Sequence, residues 1–349
     1  MNSESHPPRF WYALCAPECQ KLLKREVLLR YPGLRLSYSR PGLVTFKGEL
    51  EGEFLPRLAR HSGQSWGMLG ESEASSSPPR ASLESRYRIR LWRSASEGLS
   101  SVPETESSEL RALALSRIES VGLTVTDERG ARPLDVVVSP GSLEQPAVSL
   151  FWGLAREARA KAEILVPELP PPDAPSRAYS KLKEVVSHLG LTTTRGETVL
   201  ELGAAPGGAS LALLEYGLNV LALDPAQMDP NMPLLAARLG SSYAHIAKKA
   251  SALERADLKA AKSTVTWLVS DINLAPPVAL TQLSHALALV KRTVKVIVVT
   301  FKINDERALL SVDTQLARLQ ELTGIAPICV HLPSHRCEFG VVLDLSKTA

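Results

Sequence analysis

Four strongly apolar runs in the C-terminal half, ETVLELG, NVLALD, VTWLVSD and VKVIVVTFK, constrain this chain more than any other feature. A strand with one solvated face alternates apolar and polar residues, whereas these runs are apolar nearly throughout. Such strands are buried on both faces, which is the situation in a parallel sheet wrapped by helices. Helical patterns separate them. The last two runs, ICVHLP and FGVVLDL, are joined only by SHRCE. That connection is too short for a parallel crossover and predicts an antiparallel hairpin at one edge. An α/β fold is therefore expected from about Ser176 onward.

At 349 residues the chain exceeds what one core usually serves, so further domains are expected upstream. Residues 1–70 read as a small α+β module. The run FWYALCA is followed by the helical pattern ECQKLLKREVLLRYPG, with Leu22, Leu23, Val27 and Leu28 near helical spacing and Pro32-Gly33 as the stop. LRLSYS and LVTFKG then alternate as paired strands. Residues 71–86, rich in Ser and Pro, cannot build a core and read as a linker. A second α+β module is expected over 87–166: a strand at YRIRLW, a helix at SSELRALALSRIESVG, and strands at LDVVVS and AVSLFWG. Prolines 167, 170, 171, 172 and 175 mark the boundary to the α/β domain, 167–349.

The bulk numbers exclude more than they assign. Forty Lys and Arg against thirty-seven Asp and Glu give a net charge of +3, which permits RNA binding without demanding it. Cys15, Cys19, Cys329 and Cys337 do not have zinc-ligand spacing and read as reduced thiols of a cytoplasmic protein; no metal is expected. No secretory signal pattern opens the chain, and no run approaches the ~20 apolar residues of a membrane span. A soluble protein with no membrane partner is expected.

The segment ELGAAPGG, residues 201–208, ends a buried strand and enters the helix ASLALLEYG. Glycines in a strand-to-helix turn let the backbone approach a ligand, and the helix start offers free N–H groups. Asp224 ends the next strand, where an acidic residue meets a ribose diol in doubly wound folds. The spacing is G-x-x-x-G-G rather than G-x-G-x-x-G, and Ala205 stands where the second glycine would admit a pyrophosphate. A nucleoside without phosphates fits better than NAD. On spacing alone, a tight turn with no ligand remains open.

LGAAPGG resembles the cofactor motif of the FtsJ-like family of RNA ribose 2′-O-methyltransferases, and DAPSRAYSKLKEVV resembles the family's Ser-Arg-x-x-x-Lys-Leu helix. The Asp-Ala-Pro-Ser-Arg wording and the upstream modules are similar to the ribosomal RNA large subunit methyltransferase M branch. The resemblance covers residues 173–345. Upstream it rests on element order and a few short stretches. It implies a Rossmann-like methyltransferase domain preceded by a ferredoxin-like module (1–70) and a THUMP-like RNA-binding module (87–166). S-adenosyl-L-methionine is the implied cofactor, held by Gly203, Ala205, Pro206, Gly207, Gly208, Asp224 and Asp271. A cytidine of 23S ribosomal RNA is the implied target.

The family's Lys–Asp–Lys–Glu tetrad falls on Lys181, Asp271, Lys302 and Glu338. Asp271 and Lys302 follow buried strands, at the edge where ligands of open α/β sheets bind. A ribose hydroxyl must lose its proton as it attacks a methyl group, and Lys302 is the expected base or orienting group. Two features depart from the family. Ala209 replaces the usual aromatic residue after Gly-Gly, and no Asp or Glu lies between Pro233 and Glu254, where a carboxylate commonly reads adenine. An RNA-binding protein with a methyltransferase-derived fold and little activity, or a 2′-O-methyltransferase of another RNA, is the rival expectation. Arg86, Arg88, Arg90 and Arg93 are expected either to contact phosphates or to form a solvated strand edge.

Overall fold

The structure, a computed structural model, describes residues 10–69, 85–95, 98–101, 108–128, 131–139, 149–155, 168–260 and 264–348. The chain divides into two compact units, Met1–Val166 and Pro167–Ala349. Apart from Ser85 and Arg86, the linker expected over 71–86 lies outside the described residues.

The first unit contains β1 (Phe10–Leu14), α1 (Gln20–Arg30), β2 (Leu34–Arg40), β3 (Leu43–Gly48), β4 (His61–Leu69), β5 (Arg86–Ala95), β6 (Gly98–Ser101), α2 (Ser108–Ser120), β7 (Thr124–Val125), β8 (Arg132–Ser139) and β9 (Ser149–Ala155). Among the described residues they form one sheet, in the order β2-β3-β1-β4-β9-β8-β5-β6, with β7 beside β5. The antiparallel pairing of β4 with β9 carries hydrogen bonding from the first expected module into the second. One face of β5 sends Tyr87, Ile89 and Leu91 into a core with Trp66, Val136, Trp152 and the α2 residues Ala114 and Ile118. On the other face Trp92 packs with Tyr12, Leu43, Val137 and Phe151. Gly153 makes room for Tyr12, since a Cβ there would lie 2.5 Å from the Tyr12 ring.

Within that second face the expectation for Arg90 is corrected. Arg90 is 4% exposed and binds Asp135 through Nε and Nη2, both at 2.7 Å. Alternation along YRIRLW places residues 88, 90 and 92 opposite the α2 side, but that face is itself covered. Arg90 is unavailable to a phosphate. Arg86 and Arg93 are exposed and Arg88 is half-buried.

The second unit contains α3 (Ala178–Leu189), β10 (Thr198–Leu202), α4 (Gly208–Glu215), β11 (Asn219–Leu223), α5 (Met232–Arg238), β12 (Tyr243–Ile246), α6 (Arg255–Ala260), β13 (Val265–Ser270), α7 (Pro276–Val290), β14 (Val296–Lys302), α8 (Glu306–Thr323), β15 (Ile328–Val330) and β16 (Glu338–Asp344). The sheet order is β12-β11-β10-β13-β14-β16-β15. β10 to β14 pair in parallel, while β16 lies antiparallel between β14 and β15, so the expected hairpin closes one edge. The apolar runs are buried as their composition requires: every residue of β10 and of β14 is buried. From β10 the chain runs outward one way through β11 and β12, then returns to the other side of β10 with β13. The crevice beyond β10 and β13 is thus the topological switch point, the usual ligand position in open α/β sheets. Among the described residues no helix is long and apolar enough to cross a membrane.

Candidate active site

At the switch point the turn after β10 meets the turn after β13. Asp271 N–H donates to the Leu202 carbonyl at 3.2 Å, and a Cβ on Gly203 would lie 2.9 Å from the Ile272 side chain. Gly203 (φ +75°) and Gly207 (φ +122°) occupy backbone conformations that L side chains rarely adopt. A Cβ on Gly207 would also strike the Met232 sulfur at 2.9 Å. Gly207 caps α4 without a side-chain hydrogen bond, so the N–H groups at the start of that helix are offered to the crevice.

Asp224 follows β11 and is half-buried. Its carboxylate accepts the backbone N–H of Ala205 at 3.1 Å and of Ala226 at 2.8 Å. A carboxylate has about four lone-pair sites, so two more bonds are open to it. Asp229 N–H donates to the Pro206 carbonyl at 2.9 Å, which fastens the turn from the other side. A turn free of side chains at Gly203 and Gly207, an uncapped helix start and a positioned carboxylate fit a nucleoside ligand.

Beside this turn the four expected charged residues come together in a closed ring of alternating sign. Lys181 Nζ lies 2.9 Å from Asp271 and 3.1 Å from Glu338. Lys302 Nζ lies 2.7 Å from Asp271 and 2.5 Å from Glu338. The four side chains are between 11% and 17% exposed. Each comes from a different element: Lys181 from the first turn of α3, Asp271 from the end of β13, and Lys302 and Glu338 from paired positions of β14 and β16. Burial disfavours both carboxylates, yet the two ammonium groups hold Asp271 and Glu338 below the usual carboxylate range. Burial would also lower the Lys302 pKa, but Asp271 and Glu338 outweigh it and hold that ammonium well above its ordinary value. Lys302 therefore rests protonated.

Several supporting residues carry no signal that spacing alone reveals. Glu184, one turn beyond Lys181, is 1% exposed and accepts N–H bonds from Glu168 and Ser334 and the Ser334 hydroxyl at 2.5 Å. It ties α3 to the segment leading into Glu338. His335 accepts the Leu332 N–H through Nδ1, and burial pushes its pKa down to about 4, so it stays neutral. Glu201, before the glycine turn, is buried against the Ser210 hydroxyl at 2.5 Å. Burial pushes it up to about 8, and Asp271 and Asp224 add to the rise.

The strand order and the glycine turn at the switch point define a Rossmann-like methyltransferase domain. Residues 174–311 match the model of the FtsJ-like methyltransferase family. S-adenosyl-L-methionine is the cofactor that goes with such a domain, and the turn fits it. The chain is similar to ribosomal RNA large subunit methyltransferase M of Halorhodospira halophila, 43% identical over 63 residues. That match covers 17% of this chain and only 19% of the relative's length. Among solved structures, TrmN from Thermus thermophilus aligns over 96% of this chain and 99% of its own, at 16% identity and a TM-score of 0.34. The Methanococcus jannaschii fibrillarin pre-rRNA processing protein aligns over 48% and 75%, at 16% identity and a TM-score of 0.34.

Proposed function

We propose that this protein is a cytoplasmic RNA ribose 2′-O-methyltransferase dependent on S-adenosyl-L-methionine, and that a cytidine of 23S ribosomal RNA is its target. The observation that carries the reading is the Lys181–Asp271–Lys302–Glu338 ring placed beside the glycine turn. The FtsJ-type match supports ribose as the acceptor, and the partial similarity to a ribosomal RNA enzyme supports the choice of RNA. In this reading residues 1–70 and 87–166 are the ferredoxin-like and THUMP-like parts of an RNA-holding unit.

Gly203, Ala205, Pro206, Gly207, Gly208, Asp224 and Asp271 would hold the cofactor, with Asp224 accepting ribose hydroxyls. When bound, the cofactor supplies an electrophilic methyl group on a positively charged sulfur. The residues of this chain handle the proton. Lys302, in its minority neutral form, would take the 2′-hydroxyl proton on Nζ as the hydroxyl oxygen gains the methyl group, with the sulfur–methyl bond breaking and a neutral thioether left as the other product. Lys181 opposes full protonation of Lys302 by competing for the same two carboxylates, which hold both lysines in place. Positioned base catalysis supplies ~10²–10⁴-fold, so alignment of the hydroxyl with the methyl group must supply much of the remainder.

One observation favours a second reading, an RNA-binding protein with this fold and little activity. The segment after β12, Ala247 to Ser251, holds no carboxylate to read adenine, and Asp257 further on is bound by Lys248 at 2.8 Å. Calorimetric titration with S-adenosylmethionine separates the two readings, since only the enzyme needs useful affinity. The reaction itself is tested by mass spectrometric mapping of ribose methylation in RNA from cells with and without the gene. Loss of one methylated cytidine in 23S ribosomal RNA is the expected result; an unchanged ribose map would overturn the proposal.

A further inference from the structure

Behind the charged ring lies a small cavity of about 20 Å³, lined by Ala178, Lys181, Val185, Ser270, Asp271, Thr300 and His335 among others. About 10–15 Å³ suffices for one water molecule, provided two to four polar groups face it. Ser270 is 1% exposed, and its hydroxyl oxygen finds no hydrogen-bond partner among the described residues. Lys181 has three N–H donors; one is bonded to Asp271, and Glu338 lies at ion-pair distance, 3.1 Å, which leaves a third donor over. A buried hydroxyl and a half-buried ammonium donor, both on the wall of a water-sized space, each carry a desolvation cost that one molecule can relieve.

We propose that this cavity binds one ordered water, which accepts the third Lys181 N–H and shares a hydrogen bond with the Ser270 hydroxyl. Ser270 is then a positioning residue: it acts on the ring through the water and Lys181. The groups facing Lys181 are Asp271 after β13, Lys302 on β14, Glu338 on β16 and His335 in the preceding segment. With the water in place Lys181 stays between the two carboxylates. Without it Lys181 is held less well, the carboxylates bind Lys302 more strongly, and neutral Lys302 becomes rarer. The functional part of this inference rests on the proposed methyl transfer; the water site does not.

The test therefore begins with the site itself. A crystal structure of the full chain, at a resolution that shows ordered waters, should contain a peak within about 3.2 Å of both Ser270 Oγ and Lys181 Nζ. A Ser270 hydroxyl turned to a protein acceptor, with no such peak, overturns the proposal whatever the enzyme does. Ser270→Val and Ser270→Thr then add nearly the same bulk and differ in whether the hydroxyl remains. Single-turnover methyl transfer by the valine variant should fall about tenfold near neutral pH, with its alkaline rise displaced to higher pH, as expected for a lost hydrogen bond to a charged group. The threonine variant should keep most of the rate and the parent pH profile. Equal rates and superimposed profiles for the two variants would remove the positioning role.

Discussion

Two ion clusters among the described residues, one fully buried and one partly exposed, contrast a structural charge with the charge proposed to do chemistry. In the first unit Arg90 grips Asp135 at two points, while Tyr12 at 2.5 Å and Trp92 at 3.0 Å donate to the same carboxylate. Asp135 is fully buried, and each of its oxygens already accepts two bonds. In the second unit two lysines and two carboxylates share charge in a ring that keeps 11–17% of each side chain exposed at a ligand crevice. The first cluster has no capacity left for a substrate. The second leaves its lysines partly open, so under the proposed function geometry and access, rather than burial, mark the site.

Lys302→Ala breaks the contrast most severely. Methyl transfer should fall by ~10²-fold or more while the cofactor dissociation constant stays within about threefold, read by single-turnover assay and calorimetry. Lys302→Arg should fail as well, because a guanidinium stays protonated. The pH profile gives the sign. Asp271 and Glu338 raise the Lys302 pKa, so its neutral fraction grows about tenfold per pH unit below that value. The wild-type single-turnover rate should therefore rise log-linearly across neutral pH, and a flat profile would leave Lys302 only an orienting role.

The counterpart in the first cluster is Asp135→Asn, which should act on stability and leave cofactor affinity unchanged. Stranding a buried guanidinium without its counter-charge costs about 3–5 kcal/mol, measurable by urea denaturation. Replacing both Arg90 and Asp135 by apolar residues should recover much of that loss, which no double replacement in the lysine–carboxylate ring should do for activity. Asp224→Ala ranks next. Losing two hydrogen bonds to a charged acceptor should weaken S-adenosylmethionine binding by about one to two decades. An unchanged dissociation constant would remove Asp224 from the ribose.

Glu201→Gln probes a buried carboxyl that has no cationic partner among the described residues. Folding raises its pKa from the ordinary carboxylate range to about 8, so the native unit holds a proton that the unfolded chain gives up. Stability from that protonated form is complete below about pH 4.5 and declines as pH rises to about 8. Glutamine keeps an acceptor for Ser210 and does not titrate. The variant should match wild type near pH 4.5 and exceed it by about 4 kcal/mol at pH 8, by urea denaturation at both values.

These clusters also show what a linear sequence conveys. The apolar runs declare β10 to β14, because burial on both faces leaves a mark in every residue. The ring residues were legible through motif resemblance: 181, 271, 302 and 338 have no local spacing that closes a ring. Asp135 and its partners were illegible, since Tyr12 lies 123 positions away and YRIRLW alternates as if its arginine face met water. β4 was missed for a related reason. HSGQSWGML is polar and glycine-rich, yet it is an inner strand, and a Cβ on Gly63 would strike the Leu154 carbonyl of β9 at 2.0 Å. Gly63 serves close strand approach rather than a turn, and Gly67 (φ +90°) lies where the register with β9 shifts, distinctions that depend on the neighbouring strand.

The mildest test lies within the arginine strand itself. Arg86 is exposed and pairs with the equally exposed Glu128 at 2.7 Å, whereas Arg90, four residues on, is sealed against Asp135. A solvated pair contributes at most about 1 kcal/mol, so Arg86→Gln should leave the denaturation midpoint nearly unchanged. If the first unit holds RNA, the same substitution should flatten the plot of log affinity against log salt by about 0.7–0.9, the loss of one phosphate contact. Arg90→Gln should instead destabilise the unit by several-fold more than Arg86→Gln. Fluorescence anisotropy with a ribosomal RNA fragment at several salt concentrations reads the slope. An Arg86 variant with an unchanged slope would make that end of β5 a solvated edge and move the RNA-holding surface elsewhere.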